Sequence, residues 1–141
     1  MKNLTGSLIV LIAFLMFSGS QVKGLEKTDD KKVIVMVNTA KWCPACRKNG
    51  NRVEVDVLSQ YRNNPNYQII INDLSTKETK KASEVVYTVA GVAGVAKSNN
   101  STGVIYFINS DTKLLISTIS VTKTTEEIKQ AFDQSLAKLN K

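Results

Sequence analysis

A short run of apolar, mostly β-branched side chains spans residues 33–37. Such a run is typical of a strand that is buried on both faces of a parallel or mixed sheet. Two cysteines, Cys43 and Cys46, follow it closely. Beyond them, apolar residues recur at helical spacing, at Val53, Val57, Leu58 and Tyr61. The pattern therefore predicts a buried strand followed by a helix that begins at Cys43.

The middle of the chain predicts a second strand and a second helix. Residues 63–66 are a strong turn signal, and residues 67–71 have the pattern of a strand. Because a helix connects this strand to the first, we expect the two strands to be parallel. Residues 72–79 are expected to form a loop and residues 94–103 a long polar linker. Between them, residues 80–93 predict a helix with one apolar face, made of Ala82, Val85, Val86, Val89, Ala90 and Ala93.

The last part of the chain predicts a hairpin and a final helix. Residues 104–108 and 114–119 are its strands, and residues 109–113 are the turn. Thr124 and Glu127 have the spacing of a capping box. The helix that follows has an apolar face made of Ile128, Phe132, Ser135 with Leu136, and Leu139. This order of elements predicts an α/β fold, and 141 residues suffice for one domain but not for two.

The beginning of the chain has the pattern of a secretory signal peptide. A positive end precedes an apolar run over residues 8–17, and small and polar residues follow. The run is shorter than the ~20 residues that span a membrane. We expect residues 1–24 to be a signal peptide, with an uncleaved anchor as the alternative. Residues 25–32 are then a polar lead-in and residues 33–141 the folded domain, which is periplasmic or extracellular.

The formal net charge of +7 suggests a basic surface. The lysines are scattered rather than grouped with aromatic residues, so no nucleic-acid partner is expected. A well-solvated basic surface is the simpler interpretation. The domain meets a membrane only if the leader is uncleaved.

The two cysteines are the candidate chemistry, and the chain has no histidine. A zinc site needs about four ligands, so Cys43 and Cys46 cannot complete one within a monomer. A structural disulfide between them would close a very small loop, where entropic stabilisation is least. At a helix start, free amide groups and the helix dipole favour the thiolate form of the first cysteine. We interpret Cys43 as an exposed nucleophile and Cys46 as the resolving thiol. A structural or inert pair and an intermolecular metal or cluster site are the alternatives, and no cofactor is expected.

Residues around the cysteines are expected to support this chemistry. Pro44 suits the first helical turn, where its missing N–H has no intrahelical partner. Trp42 is expected to shield one side of the sulfurs. Nearby positive charge, which would lower the pKa of Cys43 further, comes from Lys41, Arg47 and Lys48.

With the strand, the segment AKWCPAC over residues 40–46 and the order of elements, the chain resembles the thioredoxin superfamily. The resemblance is specific in residues 40–46 and topological elsewhere. It implies a four-stranded mixed sheet flanked by helices, close to the minimal glutaredoxin-like version. It also implies a Cys43–Cys46 disulfide in the oxidised protein. In its exported setting the chain is similar to thiol-disulfide oxidoreductases that act on protein thiols and disulfides together with a redox partner protein.

Three positions depart from the family pattern. Thr102 falls where the family has a cis-proline, and a trans bond is expected there because a non-proline cis bond costs about 3–4 kcal/mol. Val37 falls where thioredoxins carry a buried acid. Pro44 and Ala45 match neither the Gly-Pro pair of thioredoxins nor the Pro-His pair of strong oxidases, so an intermediate redox potential is expected. Two further hypotheses therefore stand beside the oxidoreductase: a binding or assembly module with weak or no redox activity, and a dimeric metal or cluster binder.

Overall fold

A computed structural model describes residues 32–141, so the predicted signal peptide and most of the lead-in lie outside the described residues. Within residues 32–141, no helix combines the length and the apolar character needed to cross a membrane. The elements are β1 (Val33–Thr39), α1 (Pro44–Arg52), a π-helical segment (Val53–Leu58), α2 (Ser59–Tyr61), β2 (Tyr67–Asp73), α3 (Lys77–Val89), α4 (Ala93–Ser98), β3 (Val104–Asn109), β4 (Leu115–Ser120) and α5 (Thr125–Leu139).

The four strands form one mixed sheet in the order β2-β1-β3-β4. β1 pairs in parallel with β2 and antiparallel with β3, so Val35 lies between Ile69 and Phe107. β3 and β4 form the predicted antiparallel hairpin. Because β1 is central and covered on both faces, the side chains of residues 33–37 are all buried. The four-stranded mixed sheet flanked by helices is confirmed.

One face of the sheet packs against α1, the π-helical segment and α5 through an aromatic cluster. The Phe132 ring stacks on that of Tyr61 with centroids 4.0 Å apart. It meets the rings of Tyr67 and Phe107 edge-on, at 5.2 and 5.0 Å. The Tyr67 hydroxyl donates to the Phe132 carbonyl oxygen at 3.0 Å. This cluster attaches α5 to the sheet and so stabilises the layer in which the cysteines lie.

The other face of the sheet is covered by α3 and α4. Ile34, Met36 and Ile70 are buried there against Val92 and Ala96. Tyr87 of α3 and Ala90 just after it also pack against this cluster, so both helices contribute to the attachment.

The boundaries of α1 and α5 follow local signals that the sequence shows. α5 begins at the predicted capping box, in which the Glu127 N–H donates to Thr124 Oγ1 at 3.1 Å. The Thr124 N–H donates in return to Glu127 Oε2 at 2.9 Å. The long first helix starts after Cys43 and continues to Tyr61, as predicted. Its π-helical stretch was not predicted, and it still turns Val53, Val57 and Leu58 into the core.

The predicted boundaries in the middle of the chain are wrong. Residues 72–79 are not one loop, because β2 continues to Asp73 and α3 begins at Lys77. Thr76 caps that helix through a reciprocal bond with Thr79, a pairing that the usual Ser/Thr-x-x-Glu/Gln pattern does not cover. α3 ends at Val89, since Gly91 follows with a left-handed φ of 75°. The predicted linker 94–103 contains most of α4.

The apolar face predicted for the second helix does not face the core. Val85, Val86 and Val89 are exposed to 63, 48 and 86%. The helix instead turns Ser83 inward, and the Ser83 hydroxyl oxygen accepts a hydrogen bond from the Asp73 N–H at 2.9 Å. The face of α3 that meets the sheet therefore carries Ser83 and the half-buried Tyr87.

We expect the buried hydroxyl of Tyr67 to make the fold sensitive to alkaline pH. Burial, with smaller contributions from Asp133 and Tyr61, raises the pKa of Tyr67 to about 12. In the unfolded chain a tyrosine loses its proton near pH ~10, so between these values the unfolded state binds fewer protons and stability falls as the pH rises. Tyr67→Phe is expected to lose about 1 kcal/mol at neutral pH with its hydrogen bond, and to show a shallower alkaline loss. Urea unfolding across pH measures both, and an unchanged alkaline slope would contradict the assignment.

Candidate active site

Cys43 and Cys46 meet at the N-terminus of α1, where the buried strand β1 delivers them. A turn after β1 is closed by the Cys43 N–H, which donates to the Ala40 carbonyl at 3.1 Å. Cys43 is the N-cap residue, with extended φ and ψ of −78° and 116°, and Pro44 occupies the first turn as predicted. The N–H of Cys46 donates to the Cys43 sulfur at 3.3 Å. Both cysteines are free thiols.

Cys43 is buried, contrary to the expectation of an exposed nucleophile. Only 4% of its surface is accessible, against 7% for Cys46. The segment before β3 covers it, since a Cβ added to Gly103 would lie 3.6 Å from the Cys43 sulfur. The sulfur of Cys43 is nevertheless less deeply buried in the protein than the sulfur of Cys46.

Hydrogen bonds hold the pKa of Cys43 below its ordinary value. Burial by itself would raise this pKa, but bonds to the sulfur from the Cys46 and Thr102 side chains and from the Cys46 and Ala45 backbone lower it more. Donors directed at a sulfur favour its thiolate form. The pKa of Cys43 is therefore shifted downward, as the sequence predicted.

The nearby positive charge is not among the main causes of the lowered pKa. Lys41, Arg47 and Lys48 are exposed, and hydrogen bonds to the sulfur are the causes that lower the pKa of Cys43 most. Solvated charges on flexible side chains are screened by water, whereas hydrogen bonds act at contact distance. Lys41 has instead a structural contact, because its backbone N–H donates to Ser75 Oγ at 2.9 Å.

The pKa of Cys46 is shifted in the opposite direction, upward. Burial and the hydrogen bond with Cys43 raise the pKa of Cys46, although the Ala40 backbone and the Thr39 side chain oppose the change. Val37, at the position of the family's acid, is 6% exposed and lies with Cys46 and Gly50 around a small cavity of about 130 Å³. The two sulfurs are therefore electrostatically distinct, with the thiolate favoured on Cys43.

Trp42 and Ala45 flank the sulfurs in different ways. The indole of Trp42 is 60% exposed, and its Nε1–H donates to the Leu74 carbonyl at 3.4 Å. Trp42 is thus directed toward the end of β2, and its predicted shielding role stays a prediction. Ala45 is half-buried and packs against the cysteines.

Thr102 lies beside the nucleophile, as its place in the family pattern implies. The structure holds no cis peptide bond within residues 32–141, so the expected trans bond at Thr102 is confirmed. Its side chain is one of the groups that lower the pKa of Cys43. A hydroxyl therefore occupies the region where the family pattern has a proline ring.

A buried amide network supports this region and was not predicted. Asn38 and Asn72 are paired across β1 and β2 and are exposed to 0 and 2%. Asn72 Nδ2 donates to Asn38 Oδ1 at 2.9 Å, and Asn38 Nδ2 donates to the Asn99 carbonyl at 2.8 Å. The Gly103 N–H donates to the Asn38 carbonyl at 2.8 Å. The available sequence signal was an asparagine directly after each apolar strand run.

No profile of a known protein family matches the chain, and no curated protein matches it in sequence. Solved structures do resemble it. A provisionally assigned protein disulfide isomerase from Bacteroides thetaiotaomicron aligns with a TM-score of 0.50 and 20% identity, over 75% of this chain and 74% of that one. Thioredoxin O2 from Arabidopsis thaliana aligns with a TM-score of 0.49 and 18% identity, over 75% of this chain and 76% of that one. Tryparedoxin from Trypanosoma brucei aligns with a TM-score of 0.48 and 19% identity, over 71% of this chain and 76% of that one.

The similarity to the Bacteroides structure and the topology of the sheet indicate the same fold. The chain has a thioredoxin-like fold: a four-stranded mixed sheet, flanked by helices, with a CxxC pair at the start of the helix after β1. Within residues 32–141, no group of three or more histidine, cysteine, aspartate or glutamate side chains is placed to hold a metal ion.

We expect the Thr102 hydroxyl to set the reactivity of Cys43 at neutral pH. Thr102→Val removes one donor from the sulfur, so the pKa of Cys43 should rise and the thiolate fraction at neutral pH should fall. Thr102→Ser keeps a hydroxyl and is the matched control. The pH dependence of alkylation of the reduced protein by iodoacetamide measures the shift. Identical profiles for the valine variant and the wild type would show that the hydroxyl has no such role.

We expect Gly103 to be required for both stability and access. Its φ of 73° is a left-handed conformation, and an added Cβ would contact Cys43 and Ala45. Gly103→Ala should lower stability by about 1–2 kcal/mol and slow alkylation of Cys43. Gly94→Ala is the control, because nothing lies within 4 Å of a Cβ there. Urea unfolding and alkylation rates measure the two effects. The idea fails if both alanine variants behave alike.

Proposed function

We propose that the protein is an exported thiol-disulfide oxidoreductase that exchanges disulfides with protein substrates through Cys43 and Cys46. One observation carries the proposal. The Cys43 sulfur caps a helix, accepts the Cys46 N–H at 3.3 Å, and has a lowered pKa, while Cys46 lies one helical turn away. A thiolate with a second thiol in reach is the arrangement that disulfide exchange requires.

The reaction transfers two electrons in two exchange steps. The Cys43 thiolate attacks one sulfur of a substrate disulfide, the substrate S–S bond breaks, and a mixed disulfide forms while the other substrate sulfur leaves as a thiolate. Cys46 then loses its proton and attacks the Cys43 sulfur. The mixed disulfide breaks, the Cys43–Cys46 disulfide forms, and the second substrate sulfur leaves. The oxidised protein acts on a substrate dithiol by the same steps in reverse.

Unequal pKa values suit the order of these steps. The lowered pKa of Cys43 makes it the attacking sulfur, and the raised pKa of Cys46 keeps it protonated until the mixed disulfide has formed. Hydrogen bonds from Thr39 and Ala40 then support the thiolate that develops on Cys46. With valine at position 37, the proton of Cys46 passes to the leaving substrate thiolate or to water.

Export is the part of the proposal that rests on the leader. Residues 1–24 have the pattern of a signal peptide, so the domain would work in the periplasm or outside the cell. Disulfides persist in such compartments, which gives a protein of this kind its substrates and its partner. The name of the Bacteroides neighbour points to the same class of reaction.

The lowered pKa of Cys43 favours this proposal over the binding-module hypothesis. A thioredoxin-like module without redox activity has no need for a thiolate-stabilising set of donors around one sulfur.

Exchange of cysteine for serine tests the proposal directly. The wild type is expected to catalyse insulin reduction by dithiothreitol, and Cys43→Ser should fall to the uncatalysed rate because the attacking sulfur is gone. Cys46→Ser keeps that sulfur but cannot release the substrate, so with insulin and no dithiothreitol it should accumulate a mixed disulfide that mass spectrometry detects. Turnover by Cys43→Ser at the wild-type rate would refute the proposal, as would a wild type without turnover.

A further inference from the structure

A groove of about 840 Å³ opens beside the redox pair and is lined by α3, α4 and the end of β2. Trp42 lines it and directly precedes Cys43, so this end of the groove lies next to the nucleophile. Leu74, Tyr87 and Ala96 add apolar and aromatic surface to its walls. A segment bound here would be held against the residues that lead into the active site.

The charge of the groove is strongly one-sided. Its lining contains Lys77, Lys80, Lys81 and Lys97 and one acidic side chain, Glu84. Lys97 Nζ lies 4.0 Å from Glu84 Oε1, which offsets one positive charge. In the described part of the chain, the three lysines of α3 have no ion-pair partner. Lys80 and Lys81 follow Lys77 by three and four residues, one helical turn, so all three line the same groove.

A buried hydrogen-bond acceptor beside the groove indicates a second property of the molecule that binds there. Asn72 lines the groove, and its Oδ1 atom is buried without a hydrogen-bond partner among the described residues. Its Nδ2 atom is already engaged with Asn38. Buried polar atoms are nearly always paired, so an N–H donor on a bound molecule fits this position.

We propose that this groove binds an acidic, extended segment of the protein substrate, next to the cysteine that reacts with Cys43. Carboxylates of the segment meet the lysines of α3, a backbone N–H suits the Asn72 oxygen, and apolar side chains pack on Trp42 and Tyr87. The inference rests on the proposed function for the disulfide exchange that follows binding. Binding of the segment itself does not require the cysteine sulfurs.

A peptide fits the groove better than a nucleic acid, although lysines attract both. The groove is lined by Trp42, which directly precedes Cys43, and a polynucleotide offers that cysteine neither a thiol nor a disulfide. The other lysines of the chain are scattered along the sequence rather than grouped with aromatic residues.

Trp42 provides a binding assay that is independent of redox chemistry. It is the only tryptophan of the chain and it lines the groove, so its fluorescence reports occupancy. The protein, produced from its full-length chain, is titrated with a short glutamate-rich peptide that lacks cysteine and has blocked termini. The counterpart with glutamine in place of glutamate, a lysine-rich peptide and a single-stranded oligonucleotide are titrated in parallel. At low salt the glutamate-rich peptide should bind about tenfold more tightly than the glutamine peptide, and added salt should reduce the difference.

Charge reversal identifies the groove as the binding site. Lys80→Glu with Lys81→Glu should abolish the preference for the acidic peptide. Lys32→Glu with Lys141→Glu changes the net charge equally, at exposed positions outside the groove, and should retain the preference. Equal loss in both double variants would mean a general charge effect and would overturn the assignment. Circular dichroism melting checks that both variants are folded.

A kinetic arm separates this inference from the proposed function. Peptides that carry the same disulfide between acidic or neutral flanks are reduced by the dithiol protein, with bis(2-hydroxyethyl) disulfide as a small neutral reference. The Lys80/Lys81 variant should lose about tenfold in kcat/KM on the acidic peptide and keep its rate on the reference. Redox activity without a charge preference would overturn the groove assignment alone. Peptide binding without any redox activity would overturn the proposed function alone. Tighter binding of the oligonucleotide than of the acidic peptide would overturn the choice of partner.

Discussion

The hydrogen bond from the Cys46 N–H to the Cys43 sulfur is the interaction around which this structure is arranged. It exists because β1 is buried on both faces and therefore holds the chain firmly up to Ala40, where a tight turn presents Cys43 to the helix. Pro44 then starts α1 without leaving an N–H unpaired. A strand, a turn and a helix start thus together create one stabilised thiolate.

The second constraint on the site comes from the far side of the sheet. Asn38 leaves β1 on the α3–α4 face, yet its amide and carbonyl hold Asn99 and Gly103 and so place Thr102 over the Cys43 sulfur. In the family pattern a proline ring occupies this position. Here a hydroxyl lies there instead, and it contributes to the electrostatics of the sulfur. The same amide network continues through Asn72 to the lysine-lined groove. The cysteine site and the proposed peptide groove are therefore both supported by these buried amides.

The helix pair α3–α4 shows where sequence patterns mislead. Its valines at helical spacing predicted an apolar face, and Val85, Val86 and Val89 of that face are exposed. Periodicity shows that a helix has an apolar side; it does not show which side the rest of the protein covers. The covered side carries Ser83, bonded to the end of β2, and Tyr87, and Val92 packs beside them in the turn after the helix. The Ser83 hydroxyl also satisfies a backbone donor at the end of β2.

The sequence by itself determined the local features: the buried strand, the capped helix after it, the hairpin, α5 and the spacing of the cysteine pair. These depend on neighbouring residues, so composition and periodicity suffice to predict them. Tertiary structure alone decided that Cys43 is covered, that its donors include Thr102, and that the lysines of α3 line a groove beside Trp42. Each of these properties joins segments that are far apart in the chain, and the distance between them is set only when the sheet and both helical layers have packed.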